Sequence, residues 1–142
     1  AFERLRPEID VVAIHDLARP FVASADIRGL IETAARHGSA LLAQKAVATV
    51  KETDAAGSRV ERTLDRNRIF LAQTPQVFRA GVLRESYAKV GDRFRSFTDE
   101  AALAEAGGHT IRIVPGPAMN FKITTPDDLK LARLVAARSG RR

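Results

Sequence analysis

Residues 8–16, EIDVVAIHD, set an unbroken apolar run from Val11 to Ile14 between charged residues. A short β-branched run of this kind reads as a strand buried on both faces, as in a parallel sheet. Directly after it, SADIRGLIETAARHG repeats Ile27, Leu30, Ile31, Ala34 and Ala35 at helical spacing. Ser24 is the expected N-cap, Asp26 suits the positive first turn, and Gly38 supplies a stop. SALLAQKAVATVKET, residues 39–53, then returns to strand character. The order β-α-β predicts an α/β domain with a right-handed parallel crossover.

The pattern changes over residues 51–68, KETDAAGSRVERTLDRNR, where the chain becomes polar. A turn at DAAG between strands at Ala46–Glu52 and Val60–Leu64 predicts a hairpin arm with little core of its own. An isolated hairpin is marginal in water, so the arm is expected to pack on something else, such as a second subunit. Beyond it, IFLAQTPQVF predicts a strand ending at Thr74-Pro75, and RAGVLRESYAKVG a helix closed by Gly91. A helix capped by Thr98, with Asp99 and Glu100 in its first turn, should stop at Gly107-Gly108. TIRIVPG and MNFKIT read as strands, and residues 125–139 as a last helix with Thr125 as N-cap, Pro126 at N1 and Asp128 at N3. The opening, AFERLRPE, reads as part of a helix running straight into a central strand, as though the chain starts inside a domain.

Composition narrows the function. The 142 residues are 45% hydrophobic and 28% charged, as in an ordinary globular domain with room for one core. No apolar run approaches the roughly 20 residues of a membrane-spanning helix. The net charge of +6 comes from scattered Lys and Arg, apart from the terminal ARSGRR. Aromatics make up only 6% and are not interleaved with basic residues in the way that stacks bases, which argues against nucleic acid. The absence of cysteine excludes disulfides and thiolate metal sites and fits a reducing, cytoplasmic setting. His15, His37 and His109 are too far apart in sequence to suggest a metal cluster.

In open α/β sheets ligands bind beyond the carboxyl ends of the strands. Asp16 falls just past such an end, with Arg19 three residues on. A carboxylate there suits Mg²⁺, and a guanidinium suits phosphate oxygens; the plainer reading is a surface ion pair or a turn cap. Lys122, between Phe121 and Ile123 of an alternating strand, should point away from both, either into the site or out from a sheet edge. Arg66 has Asp65 beside it as a ready partner, and Thr74 precedes a proline turn. None of these is specific alone.

Together they are. VVAIHDLARPF, TLDRNRIFLAQTPQVF, FTDEAALAEAGG and MNFKITTPDDLKLA, in this order, resemble the 2-C-methyl-D-erythritol 4-phosphate cytidylyltransferases over essentially the whole chain. The resemblance implies a Rossmann-like, mostly parallel nucleotidyltransferase sheet with helices on both faces and a protruding β-hairpin arm, truncated at the N-terminus. Residues 1–142 would form the C-terminal portion of a single domain, with a dimerisation arm at about residues 45–68. It further implies cytidylyl transfer from CTP to methylerythritol phosphate, with release of pyrophosphate, Mg²⁺ as cofactor and a homodimer.

By the same resemblance Asp16 binds the substrate and the metal, and Arg19 lies near the substrate phosphate. Arg66 and Lys122 position that phosphate for attack, while Thr49 contributes a hydroxyl and Thr74 belongs to the same pocket. Thr49 and Arg66 would serve the site of the neighbouring subunit. Leu17 departs from the alanine or glycine usual beside the aspartate. The family's glycine-rich CTP loop has no counterpart among the nine scattered glycines, so it is expected upstream of Ala1 and the chain alone is expected to be inactive. Ribitol 5-phosphate cytidylyltransferases share HDxxRPF and QTPQ, but TDEA before an alanine-rich helix favours the methylerythritol enzymes. A non-catalytic dimerisation or regulatory module of the same fold is the alternative from another class.

Overall fold

A computed structural model describes residues 5–139 of the chain. The first four residues of AFERLRPE therefore lie outside the described part, and the rest of that stretch contains a turn at Pro7–Glu8 rather than a helix. The described residues form six strands and four α-helices: β1 (Val11–Ile14), α1 (Ser24–His37), β2 (Ser39–Lys45), β3 (Val50–Thr53), β4 (Val60–Leu64), β5 (Phe70–Arg79), α2 (Ala80–Val90), α3 (Glu100–Ala106), β6 (Arg112–Pro115) and α4 (Pro126–Ser139).

Four strands form one sheet in the order β1-β5-β2-β6. β5 is antiparallel to both β1 and β2, and β6 is parallel to β2, so three of the four strands point the same way. The β-α-β unit is present, but its two strands are not neighbours, because β5 sits between them. Burial explains the insertion. Val77 and Phe78 of β5 are fully buried on opposite faces, so this strand belongs at the centre. β1, expected to be buried on both faces, is instead an edge strand among the described residues, and its Ala13 is exposed.

The period-2 alternation of the strands divides the core between two faces. Ala40, Leu42 and Val77 turn towards Leu30 and Ala34 of α1. Leu41 and Phe78 turn the other way, towards Leu83 of α2 and Ala101 and Ala104 of α3. Helices therefore cover both faces. Each fully buried Leu or Phe contributes about 1.5–3 kcal/mol, which is enough to set which face of each helix turns inward.

The helix ends show which local signals were obeyed. α1 begins at Ser24 itself, with Ala23 in the cap position and no side-chain cap, while Gly38 ends the helix at φ 95°. Gly91 closes α2 at φ 54°. The cap of α3 is Asp99, whose side chain accepts from the Ala102 amide, and not Thr98. α4 has the full expected box, in which Thr125 Oγ1 accepts from the Asp128 amide at 3.2 Å and Asp128 Oδ2 accepts from the Thr125 amide at 2.8 Å.

Two expected strand ends moved. β5 does not stop at Thr74-Pro75 but runs through this cis peptide to Arg79. Proline has no N–H to give to a ladder, and the β2 register shifts between Leu41 and Ala43 opposite it. MNFKIT is a loop rather than a strand, since its amides go to local and distant carbonyls: Asn120 N to Pro117 O at 3.2 Å and Ile123 N to Ala18 O at 2.8 Å. The hairpin arm is present as a separate two-stranded sheet, β3-β4, mostly exposed and with no buried residue. Asp54 holds the arm's turn by accepting from the amides of Ser58 and Arg59.

Candidate active site

The proline interruption in β5 and the end of β1 meet at one place. Ile14, the last residue of β1, is paired with Gln76, so His15 and Asp16 emerge beside Thr74. The Asp16 amide donates to Thr74 Oγ1 at 2.9 Å, which fixes the start of the β1–α1 loop against β5. Here a cleft of about 230 Å³ opens, lined among others by Asp16, Arg19, Thr74, Thr98, Glu100 and Lys122. A larger hollow of about 700 Å³, lined by Asp10, Val11 and Arg79, sits at the opposite ends of the same strands and holds none of the predicted residues.

Asp16 is the centre of the cleft's charge. Its Oδ2 accepts from Arg19 Nε at 3.4 Å and lies 3.1 Å from Lys122 Nζ. Burial pushes the Asp16 pKa up, but the hydrogen bonds and charges of Lys122 and then Arg19 outweigh it and hold the carboxyl below its ordinary range. Asp16 is therefore an anion at neutral pH.

Arg19 is anchored by the fold as well as by Asp16. Nη1 donates to Asn120 O at 2.8 Å and Nη2 to Ala72 O at 3.5 Å, and the side chain is only 13% exposed. Its remaining N–H groups are those available to a ligand. Lys122 is different: it stands on the loop, about half exposed, with Asp16 as its ion-pair partner.

Three buried amide side chains hold these elements together. Asn120, fully buried, donates through Nδ2 to Thr74 O at 2.8 Å and to Gln73 Oε1 at 3.2 Å. Gln73 in turn donates to Pro117 O at 3.0 Å, so the Lys122 loop is tied to β5 on both sides of the bend. Gln76 donates to Asp99 Oδ2 and accepts from the Ala101 amide, both at 2.9 Å, and thereby sets the start of α3 as the cleft's far wall. An unpaired buried polar atom costs about 1–3 kcal/mol, and these bonds pair every amide N or O named above, while Asn120 Oδ1 is buried without a partner among the described residues. Gln73, Gln76 and Asn120 were not among the residues expected to build the site. Their signal was polar side chains set within or beside apolar runs.

The structure thus brings Asp16, Arg19, Thr74 and Lys122 into one cleft. It does not bring Thr49 or Arg66 there. Both lie at the base of the arm, where Arg66 Nη1 donates to Val47 O at 2.8 Å and Thr49 is exposed in the strand's approach. Thr98, expected as a helix cap, lines the cleft instead. Leu17 is 98% exposed and is not part of the lining.

The carboxylates of the cleft do not make a metal site by themselves. Asp99 uses one oxygen on the Ala102 amide and the other on Gln76. Asp16 Oδ2 is shared by two cations. Among the described residues no three His, Asp or Glu side chains stand together as metal ligands. One carboxylate suffices for Mg²⁺ only where phosphates and water supply its other oxygens.

Comparison with known proteins decides the family. The family model described as IspD, 2-C-methyl-D-erythritol 4-phosphate cytidylyltransferase, matches residues 1–138. The chain belongs to this family. Among curated members of the cytidylyltransferase family, the chain is 50% identical over 125 residues to the bifunctional enzyme IspD/IspF of Anaeromyxobacter dehalogenans, covering 87% of this chain and 32% of that protein. It is 46% identical over 123 residues to the 2-C-methyl-D-erythritol 4-phosphate cytidylyltransferase of Syntrophus aciditrophicus, covering 87% and 52%. The crystal structure of the cytidylyltransferase from Thermus thermophilus superposes with a TM-score of 0.82 at 34% identity, covering 96% of this chain and 65% of that one. The chain therefore spans from 32% to 65% of the length of these relatives, and its fold is that of the family's nucleotidyltransferase domain.

Proposed function

We propose that this chain supplies the sugar-phosphate half of an active site that transfers a cytidylyl group from CTP to 2-C-methyl-D-erythritol 4-phosphate. The observation that carries the reading is the meeting of Lys122 and Arg19 on Asp16, beside Thr74, at the carboxyl end of β1. Two cations held by one carboxylate, in a cleft with a hydroxyl and a carboxylate wall, suit a ligand that is both phosphate and polyol. A phosphate oxygen of the sugar attacks the α-phosphorus of CTP. The new P–O bond forms as the α–β bridge breaks, and pyrophosphate leaves. No covalent enzyme intermediate is required, so the work is positioning and charge neutralisation.

In this reading Lys122 takes the sugar phosphate and Arg19 keeps the cleft's lip in place while adding positive potential. Asp16 orients the substrate and offers Mg²⁺ one oxygen. The metal, when bound with the triphosphate, supplies neutralising charge to the phosphates. Arg66 and Thr49 act on the cleft of a second subunit. Support for that comes from the arm, which is a separate, exposed two-stranded sheet with the two residues at its base. A cytoplasmic location belongs to the same reading, and among the described residues no helix is long and apolar enough to cross a membrane.

The test is pyrophosphate release by the protein at the full length of its relatives, supplied with CTP, Mg²⁺ and methylerythritol phosphate. Turnover is expected, with ribitol 5-phosphate a poor substitute. Preference for ribitol 5-phosphate, or no turnover with either, rejects the reading.

A further inference from the structure

His15 is part of none of the roles above, yet its ring bridges two walls of the cleft. Nδ1 lies 2.9 Å from Thr74 Oγ1, and Nε2 lies 3.0 Å from Arg19 O. A carbonyl oxygen only accepts, so Nε2 must carry a proton. In the neutral imidazole Nδ1 is then bare, and the Thr74 hydroxyl donates to it. The same hydroxyl oxygen already accepts from the Asp16 amide at 2.9 Å. A hydroxyl has one proton and two lone pairs, and here the proton and one pair are committed. What Thr74 retains for the cleft is a lone pair. It can accept from a ligand O–H, and it cannot donate to a phosphate oxygen.

We propose that His15 is a positioning residue that makes Thr74 an acceptor for a substrate hydroxyl and pins the Arg19 main chain at the lip of the cleft. The assignment of the hydroxyl rests on reading the cleft as a sugar-phosphate site. It divides the labour by polarity. A phosphate dianion offers only acceptors, so it is turned away from Thr74 and towards Lys122, whereas the polyol offers donors. The cleft then reads which end of the substrate is which. Because His15 is exposed, replacing it leaves the core packing in place.

Two measurements test this. In ¹⁵N-histidine-labelled chain with His15 neutral, nitrogen shifts should show Nε2 protonated and Nδ1 bare, and Thr74→Val should weaken that bias. A predominant Nδ1–H form overturns the proposal. In the protein at the full length of its relatives, His15→Gln can keep a donor near Arg19 O but leaves Thr74 without its acceptor. His15→Asn can place an oxygen near the Nδ1 position. His15→Gln should lose about 3- to 10-fold in kcat/KM for the polyol phosphate, with KM for CTP and Tm unchanged, and His15→Asn should recover part of it. Equal losses against both substrates, or no loss in His15→Gln, overturn the positioning role. If the wild-type protein is inert towards the sugar phosphate, the reading of the cleft falls and the hydroxyl assignment with it. The tautomer is still decided by the nitrogen shifts.

Discussion

Lys122 Nζ lies 3.1 Å from Asp16 Oδ2, although one residue follows β1 and the other stands in the loop before α4. The pair places a cation at the mouth of the cleft and gives it a resting partner while no anion is bound. An incoming phosphate must compete with Asp16 for that ammonium.

Opposite signs are therefore expected for the two partners. Lys122→Ala should weaken inorganic phosphate binding and cost about 1.5–3 kcal/mol, roughly 10- to 150-fold in kcat/KM for the sugar phosphate. Asp16→Asn should bind inorganic phosphate more tightly, because Lys122 and Arg19 lose their counter-charge, yet turn over the polyol more slowly. Calorimetric phosphate titration of both variants checks this. Weaker binding in Asp16→Asn contradicts it.

Arg66 tests whether the arm serves a neighbour. Arg66→Ala and Asp16→Ala, each in the protein at relatives' length, should be poor enzymes alone. Mixed with verified subunit exchange, they should recover activity, since a heterodimer regains one site with both residues intact. No recovery would remove Arg66 from the partner's cleft.

Gly116 shows how packing reaches the site. A Cβ there would stand 2.5 Å from Gln73 Oε1 and 2.8 Å from Leu42 Cγ. Gln73 Oε1 accepts from Asn120, which anchors the Lys122 loop. Gly116→Ala should therefore cost about 1–3 kcal/mol in denaturant unfolding and also raise KM for the sugar phosphate. A stable variant with unchanged KM would show that Gln73 adjusts freely.

The acid limb of stability should carry the signature of α4. Hydrogen bonds from the Thr124 amide and hydroxyl, and from Thr125, lower the pKa of Asp128 to about 2. A folded-state value below the ordinary 3.8 means that this cap contributes fully above that value and is lost as pH falls through about 2. Helical circular dichroism of Asp128→Asn should show a frayed α4 already at neutral pH and less change in acid. Wild-type helicity with an unaltered acid titration would contradict the cap.

Capping at Gly38, Gly91 and the Thr125–Asp128 box was legible in the sequence, as were α1 and the arm, whereas the division of β2 and β5 between two buried faces was not. Each legible feature depends on residues a few positions apart, where backbone propensity and one side chain suffice. The candidate cleft was legible in part. Asp16, Arg19, Thr74 and Lys122 could be named from their motifs, but nothing local says that Lys122 reaches Asp16 or that Arg19 is held by the carbonyls of Asn120 and Ala72. Only the tertiary structure decided that β5 lies between β1 and β2, that MNFKIT is a loop, and that His15 meets Thr74. The reason is competition over distance. The central place in a sheet goes to the strand with most to bury, and buried amides and main-chain groups then bond to whatever that arrangement brings within about 3 Å of them.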